Sequence, residues 1–177
     1  SNNGSIVAIG ADGNDSGHVR VYEWNGSSWM QRGTDIDGEA SGDRSGRSVA
    51  LSSDGTIVAI GAWGNSYNGE REIGHVRVYE WNGSWEQRGA DIDGEAAWDR
   101  SGWSVSLSSD GTIVAIGAVY GNSNKSGYVR VYKWNGSSWM QRGEDIDGEA
   151  SYDYSGHSVS LSSDGTIVAI GAWGNSY

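Results

Sequence analysis

The chain has 177 residues, contains neither Cys nor Pro, and carries a formal net charge of −11 at pH 7. The absence of Cys excludes disulfides and thiolate metal sites, and the negative charge argues against a nucleic acid partner, because phosphate binding needs clusters of Lys and Arg. No apolar run is long enough for a membrane span, and no signal-like segment opens the chain. The sequence opens within a repeat, so we expect a segment or a mature piece of one domain.

One stretch recurs and determines the organisation of the chain. Residues 52–62 read SSDGTIVAIGA, the same letters return at 108–118 and 162–172, and a shorter copy lies at 2–11. A fixed internal period is typical of solenoids and propellers, whose units stack on one another.

A full unit predicts four short strands, which we name A to D. Residues 45–52 alternate in polarity and predict strand A, and an Asp-Gly pair then predicts a tight turn. Residues 56–62 are apolar on both faces, which predicts a strand B packed between two layers. Strand C is predicted at His75–Trp81 and strand D at 85–89, joined by an Asn-Gly hairpin.

The same order recurs and gives the predicted organisation of the chain. We expect a partial blade with strands B, C and D plus a linker at 1–44, full blades at 45–100 and 101–154, and a partial blade with strands A and B at 155–177. Strand A is predicted again at 104–108 and 158–162, strand C at His18–Trp24 and Tyr128–Trp134, and strand D at 29–33 and 139–143.

Four antiparallel strands per unit of roughly fifty residues are the pattern of β-propeller blades. The predicted fold is therefore all-β, with about three blades in this chain. That number is too small for a closed ring. The last strand A could complete the opening unit, but the last strand B would then have no place, so we expect association with copies of the chain or with further repeats of a longer one.

The residues around the A–B hairpin resemble the FG-GAP repeats of integrin α-subunit propellers and their bacterial and algal relatives. The resemblance rests on Gly46, on the pair Ser48-Val49 and on the pair Gly61-Ala62. The pattern returns at Gly102, Ser104-Val105 and Gly117-Ala118, and at Gly156, Ser158-Val159 and Gly171-Ala172. The resemblance implies propeller architecture and an extracellular or cell-surface setting.

The sequence also departs from the FG-GAP pattern. A serine precedes the first glycine where the family has an aromatic residue, and Trp63, Val119 and Trp173 stand where the family has proline. The Asp-rich calcium loop between strands A and B is reduced to Ser-Ser-Asp-Gly, so no family calcium site is expected at Asp54, Asp110 or Asp164.

Acidic residues recur in the segment DIDGE, which follows strand D in each unit. Alternate carboxylates in a Gly-containing loop can supply oxygen ligands for calcium. The alternative is a solvated turn, because a full site needs about six oxygens. The calcium candidates are Asp35, Asp37 and Glu39 in the first loop, Asp91, Asp93 and Glu95 in the second, and Asp145, Asp147 and Glu149 in the third. No other cofactor is predicted.

No catalytic set emerges from the repeats. His18, His75 and His157 lie on strands of different units, and none has a Ser–Asp pair repeated beside it. Carboxylates drawn from the DIDGE loops could serve glycoside hydrolysis, but repeated carboxylates favour a scaffold role. We therefore predict that the chain is not an enzyme, with a fragment of an enzyme as the remaining alternative.

Two further repeated features have structural and functional interpretations. A Trp pair flanks each Asn-Gly hairpin and could stack on sugars, although a cross-strand stabilising pair is the stronger interpretation. Asn-X-Ser sequons could carry N-linked glycans, although Asn-Gly-Ser is also good turn chemistry. The candidates are Asn3, Asn14, Asn25, Asn82, Asn124 and Asn135.

These observations favour an extracellular repeat protein that acts as a scaffold or as a self-assembling ring or filament, without enzymatic activity. The alternative is an adhesion module that binds a glycan or a protein through the B–C loops. Those loops differ in length between units and include residues 63–74 and 119–127.

Overall fold

The fold is an open row of four antiparallel β-sheets, known from a computed structural model that describes residues 1–13, 15–66 and 71–174. The described residues contain no helix, which confirms the predicted all-β fold of propeller-type blades. The row does not close into a ring, as the low blade number led us to expect.

Within the described residues, the second and third sheets contain strands A to D in the predicted order, the first begins at strand B, and the fourth contains strands A and B alone. The first sheet contains β1 (Ile6–Ala11), β2 (His18–Trp24), β3 (Trp29–Gln31) and β4 (Ile36–Asp37). The second contains β5 (Ser45–Leu51), β6 (Ile57–Ala62), β7 (His75–Trp81), β8 (Trp85–Gln87) and β9 (Ile92–Asp93). The third contains β10 (Ser101–Leu107), β11 (Ile113–Ala118), β12 (Tyr128–Trp134), β13 (Trp139–Gln141) and β14 (Ile146–Asp147). The fourth contains β15 (Ser155–Leu161) and β16 (Val168–Ala172).

Two local predictions are corrected by the structure. The Ile-Asp pair of each DIDGE segment is a short strand that pairs with the beginning of strand C, as Ile92 does with Val76, whereas the sequence predicted only a loop. The later copies of strand A begin three residues earlier than predicted, at Ser101 and Ser155, because a bulge in the pairing with strand B extends each strand towards its start.

Strand B forms the core because its two faces pack against two different sheets. In β6, Val58 and Ile60 pack with apolar residues of the first sheet. Ile57 and Ala59 of the same strand pack with residues of the third sheet, including Val114. All six residues of β6 and of β11 are buried, which confirms that strand B is sandwiched between layers.

Glycine at the end of strand B allows neighbouring sheets to approach closely. A Cβ atom on Gly61 would overlap the carbonyl oxygen of Gly102 in the next sheet, and one on Gly117 would overlap that of Gly156. The same carbonyl of Gly102 accepts a hydrogen bond of 2.8 Å from Ser48 Oγ. Backbone contact, rather than side-chain filling, therefore sets the spacing of sheets at this point.

The A–B turns form a second series of contacts between sheets. The amide of Asn2 donates to the carbonyl of Ser53, that of Ser53 donates to Ser109, and that of Ser109 donates to Ser163, each at 2.8 Å. Each turn is fixed internally by its acid: in the second sheet, Asp54 accepts hydrogen bonds from Ser52 Oγ and from Thr56. The turns thus stack in register from one sheet to the next.

The two outer faces of the row expose residues that are buried in the inner sheets. Val7 and Ile9 of β1 are 36% and 54% exposed, whereas the equivalent Val58 and Ile60 are 0% and 1% exposed. At the other end, Ile167 is 68% exposed. We call the exposed side of β1 and β2 the head face, and the exposed side of β15 and β16 the tail face. Across the described ranges, no helix is long and apolar enough to cross a membrane.

Candidate functional site

One end of the strands, in every sheet of the row, carries the residues that differ most between the otherwise similar units. This end, where strand A begins and strand B ends, is built from the loops before strand A and after strand B, and we call it the loop face. Its large side chains are Arg47, Trp63, Trp98, Arg100, Trp103, Tyr120, Lys125, Tyr152, Tyr154, His157 and Trp173.

The loop before each strand A is held in a strained conformation that projects its side chains outwards. Trp98 and Arg100 have φ of 74° and 56°, values that are uncommon for residues other than glycine. The amide of Arg100 donates to the carbonyl of Glu72 at 3.0 Å, and buried Asp99 accepts a hydrogen bond from the amide of Ala96 at 2.9 Å. These contacts hold the backbone in its strained conformation, and strained residues of this kind are common at binding sites.

The side chains of the loop face form a continuous belt of aromatic rings and cations that contact one another. Arg47 lies over Trp103 at 4.5 Å, and Trp103 packs against Trp63 with ring centroids 5.6 Å apart. Arg100 lies between two rings, 4.7 Å from that of Trp63 and 4.4 Å from that of Tyr120. These distances are within the range of cation–π attraction.

The belt continues across the third and fourth sheets. Tyr120 packs edge-on against Tyr154 at 5.2 Å, and Tyr154 packs against Trp173 at 5.8 Å. His157 lies between Trp103 and Trp173, at 6.0 Å and 6.3 Å. The belt therefore spans three sheets and depends on residues that are far apart in the sequence.

Two adjoining cavities open on this belt. The larger, of about 580 Å³, is lined by residues that include Trp98, Arg100, Tyr120 and Lys125. The smaller, of about 240 Å³, shares Tyr120 and is otherwise lined by belt residues and Val119. The volume of the larger cavity is sufficient for a small molecule or for one unit of an oligomer.

The charges of the loop face are unevenly paired. Arg100 forms an ion pair of 2.6 Å with Glu72. Asp99 is buried and accepts a hydrogen bond from the hydroxyl of Tyr128 at 2.9 Å, and burial together with this carboxylate raises the pKa of Tyr128. Among the described residues, no carboxylate lies within ion-pair distance of Arg47 or Lys125.

The DIDGE carboxylates extend along the sides of the sheets, and among them Glu95 also lines the larger cavity of the loop face. Asp35 forms a bidentate ion pair with Arg20, and Asp145 forms one with Arg130. The Arg20 hydrogen bond holds the pKa of Asp35 below its usual range. These ion pairs use oxygens that a calcium ion would need, and the calcium sites stay a prediction.

The remaining candidates are spread along the same sides. Glu95 pairs with Arg130, and burial raises the pKa of Asp93. Asp37, Asp147 and Glu149 are exposed.

One group of possible metal ligands combines residues from two DIDGE loops. Ligand atoms of Glu39, His75 and Asp91 lie within 4.8 Å of one another. Burial, followed by the charge of Arg77, lowers the pKa of His75 to about 4, so that its imidazole is neutral at pH 7. A neutral imidazole suits a metal, but the Arg77 guanidinium lies 3.7 Å from Glu39 and opposes a bound cation.

The Trp pairs and three of the glycosylation candidates, Asn25, Asn82 and Asn135, lie at the C–D hairpins, at the strand ends opposite the loop face, whereas Asn124 lies in a B–C loop of the loop face. The Trp pairs are cross-strand neighbours, as Trp81 and Trp85 are at 5.2 Å, which is the structural interpretation we favoured. Asn25 and Asn135 accept hydrogen bonds from the backbone of their own turns. Asn3, Asn82 and Asn124 are exposed, Asn14 lies outside the described residues, and their glycosylation stays a prediction.

The sequence matches no known protein-family model and no curated protein. Solved structures do match its fold. A candidate 6-phosphogluconolactonase from Bacteroides uniformis has a TM-score of 0.64 and 16% identity over 97% of this chain and 48% of its own. The periplasmic gluconolactonase PpgL of Pseudomonas aeruginosa has 0.57 and 17% over 96% and 47%. TolB of Acinetobacter baumannii has 0.54 and 14% over 95% and 35%. The chain therefore spans less than half the length of each.

These similarities show a β-propeller-like fold and give no support to the narrower FG-GAP resemblance. They also correct the prediction that the chain is not an enzyme, because two of the proteins with this fold bear lactonase names. Near-identical repeats do not exclude a catalytic site, since unlike loops can converge on one face of a propeller.

Proposed function

We propose that this chain is a structural element that assembles head to tail with further copies of itself into a ring or filament of propeller blades. One observation supports this proposal most directly. Ile57 and Ile113 are 3% and 6% exposed against the following sheet, whereas the equivalent Ile167 on the tail face is 68% exposed. Burying such a side chain contributes about 1.5–3 kcal/mol.

The head face supplies the complement of the tail face. Within the chain, the Ile57 side of one strand B packs on the Val114 and Ile116 side of the next. A second copy can present Val7 and Ile9, which have the same place in the repeat. Such a contact joins two different surfaces, so it generates a ring if the rotation closes and a filament if it does not.

The setting of this assembly is proposed to be extracellular or at the cell surface. One protein of similar fold is periplasmic by name. The resemblance to FG-GAP repeats, kept as a hypothesis of relationship, implies an extracellular or cell-surface setting. A second candidate function is ligand binding through the B–C loops, favoured by the cavity that Tyr120 and Lys125 of one such loop line.

Size-exclusion chromatography with light scattering tests the assembly over a range of protein concentrations. We expect concentration-dependent multimers of the unmodified chain, and monomers of the variants Ile167→Asp and Ile9→Asp. Met140→Asp is the control. Met140 and its equivalent Met30 are 55% and 56% exposed, although the sheet after Met30 contains a strand D and the described part of the sheet after Met140 does not. A monomer at every concentration would overturn the proposal.

A further inference from the structure

We propose that the loop face binds an acidic polysaccharide, in which sugar rings stack on the aromatic belt and carboxylates pair with its cations. This inference builds on the second candidate function, ligand binding through the B–C loops, and names the chemistry of the ligand. It is independent of assembly, because the belt lies at the ends of strands and the head and tail faces lie on their sides.

The aromatic rings provide surfaces on which sugars can stack. Trp98 and Tyr152 are 49% and 56% exposed. Tyr152 packs against Tyr154 of the belt, and Trp98 lines the same cavity as Tyr120, so both extend a contiguous apolar surface of the kind that marks a binding site. The C–H face of a pyranose packs on an aromatic face, and its hydroxyls require nearby hydrogen-bonding groups. Exposed Asn122 and Ser123 line the same cavity and supply such groups.

The unpaired charges of the loop face favour an anionic ligand, because the carboxylates that line the larger cavity are already engaged: Glu95 pairs with Arg130, and Asp99 accepts a hydrogen bond from the Tyr128 hydroxyl. The chain as a whole is strongly acidic, with a net charge of −11. The belt nevertheless contains Arg47 and Lys125, both exposed and without a carboxylate in ion-pair range within the described part of the chain. Lys125 Nζ lies 5.5 Å from the ring centre of Tyr120 and 5.9 Å from that of Tyr152, so a carboxylate placed there would meet a cation beside two rings.

The form of the belt favours a chain of sugars over other anionic ligands. Its rings follow one another with centroids 5.2 Å and 5.8 Å apart, from Tyr120 through Tyr154 to Trp173, and adjoining cavities open beside them. A nucleic acid would require more phosphate-pairing cations than Arg44, Arg47, Arg71 and Lys125, the exposed cations of the loops at this face that form no ion pair within the described part of the chain. A polymer whose units each present a sugar face and a carboxylate can contact several rings of the belt and its few free cations at once.

Affinity electrophoresis of the full chain in gels that contain polygalacturonate tests this proposal. We expect retarded migration, with an apparent affinity that falls steeply as salt is raised. Highly methyl-esterified polygalacturonate has the same sugar backbone without most of the charges, and we expect it to bind at least tenfold more weakly.

Matched variants locate the interaction on the loop face. Lys125→Ala and Trp98→Ala should each weaken binding by about fivefold to tenfold. Lys133→Ala and Met140→Ala are the controls, because these residues are equally exposed but lie on the C–D hairpin. Equal losses in the control variants would place binding elsewhere and overturn the proposal.

The choice of polymers distinguishes the preference for an acidic ligand from glycan binding itself. Equal affinity for the charged and esterified polymers would retain a sugar-binding loop face and overturn the preference for acid. Retardation by poly-L-glutamate or single-stranded DNA as strong as that by polygalacturonate would show general anion binding and overturn the role of sugar stacking. No retardation by either form of polygalacturonate would overturn both the preference and the glycan-binding role, while the multimers seen by light scattering would stand.

Discussion

Strand B is built on the letters IVAIGA in all four sheets, and its inner and outer copies differ in burial. In β6 and β11 every residue is buried, whereas in β1 the side chains alternate between buried, half-buried and exposed positions, and in β16 none of the described residues is buried. The local sequence is the same, but β6 and β11 each pair with two strands of their own sheet and have a sheet on either side, whereas among the described strands β1 pairs only with β2 and β16 only with β15. The difference in burial therefore comes from a missing strand within each outer sheet as well as from a missing sheet beside it. Strand B therefore has two apolar faces that each pack against a neighbouring sheet, and each outer sheet of the row lacks one such neighbour.

The largest contrast is expected for truncation of the same isoleucine in an inner and an outer sheet. Ile113→Ala removes a side chain that is 6% exposed and should lower the free energy of unfolding by about 4 kcal/mol. Ile167→Ala should lower it by less than about 1 kcal/mol in the monomer, since that side chain is already 68% exposed. Urea unfolding at low protein concentration measures both, and equal effects would contradict the contrast.

Glycine at the end of strand B should show the same contrast. In Gly117→Ala the new methyl group overlaps the backbone of Gly156 in the next sheet, and we expect a loss of about 3 kcal/mol. In Gly171→Ala it meets only the side chain of Ser158, which can rotate away. Thermal unfolding should therefore separate the two variants, and a Gly171→Ala variant as unstable as Gly117→Ala would argue against the role of the next sheet.

The buried histidine of the second sheet should make inner packing sensitive to pH. Because the folded pKa of His75 is about 4, the unfolded state binds a proton more readily below its ordinary pKa of about 6.5. The free energy of unfolding should be unaffected by this group above pH 6.5 and fall by up to about 3 kcal/mol as the pH decreases to 4. The groups facing the imidazole are Arg77, Asp91, Asp43 and Glu39.

The variant His75→Tyr tests this assignment, because the third unit has Tyr128 at the same position. Urea unfolding measured from pH 7 to pH 4 should lose most of its slope between 6.5 and 4 in this variant. His18→Tyr is the control, since His18 is only half-buried in the first sheet. An unchanged slope in His75→Tyr would show that other groups cause the pH dependence.

The smallest expected contrast concerns a hydrogen bond between sheets. Ser104 Oγ donates to the carbonyl of Gly156 at 2.7 Å, so Ser104→Ala should destabilise the chain by about 1 kcal/mol. The equivalent Ser158 is exposed in the last sheet, and Ser158→Ala should be close to neutral. Differential scanning calorimetry of the two variants would resolve the difference, and a reversed order would contradict the repeat equivalence.

The fold could be predicted largely from local signals. Asp-Gly and Asn-Gly turns placed the hairpins, and the double-sided apolar pattern of residues 56–62 predicted burial between layers, as β6 confirms. The short strand at Ile92 could not be predicted, because two residues give no periodicity and their pairing depends on Val76, sixteen positions earlier. The early start of β10 depends on a bulge, which the alternation of residues does not reveal.

The variable length of the B–C loops predicted a binding role for them, but the belt that joins them to the loops before strand A was missed, because its residues come together only in three dimensions. Trp103, Tyr120 and Trp173 lie in three different segments, and none belongs to a motif. A signal did exist: in aligned units the positions of Arg47, Trp103 and His157 differ while their neighbours repeat. Attention to repeated residues directed us to the DIDGE carboxylates, whereas the unlike residues mark the face with cavities.

The stacked A–B turns allow the most direct test of head-to-tail assembly. Ser53 and Ser109 are joined by a backbone hydrogen bond of 2.8 Å between turns of adjacent sheets. By the same spacing, Ser163 of one copy should meet Asn2 of the next. Because the chain has no Cys, the pair Asn2→Cys and Ser163→Cys can report this contact, with Ser53→Cys and Ser109→Cys as the control that closes within one chain.

Non-reducing electrophoresis after mild oxidation reads the result. Our account predicts a ladder of linked dimers, trimers and larger species for the Asn2→Cys, Ser163→Cys variant, and a single band of monomer size for the control. Monomer alone in the first variant, while the control closes its disulfide, would contradict the claim that the outer faces of the row repeat its inner interfaces.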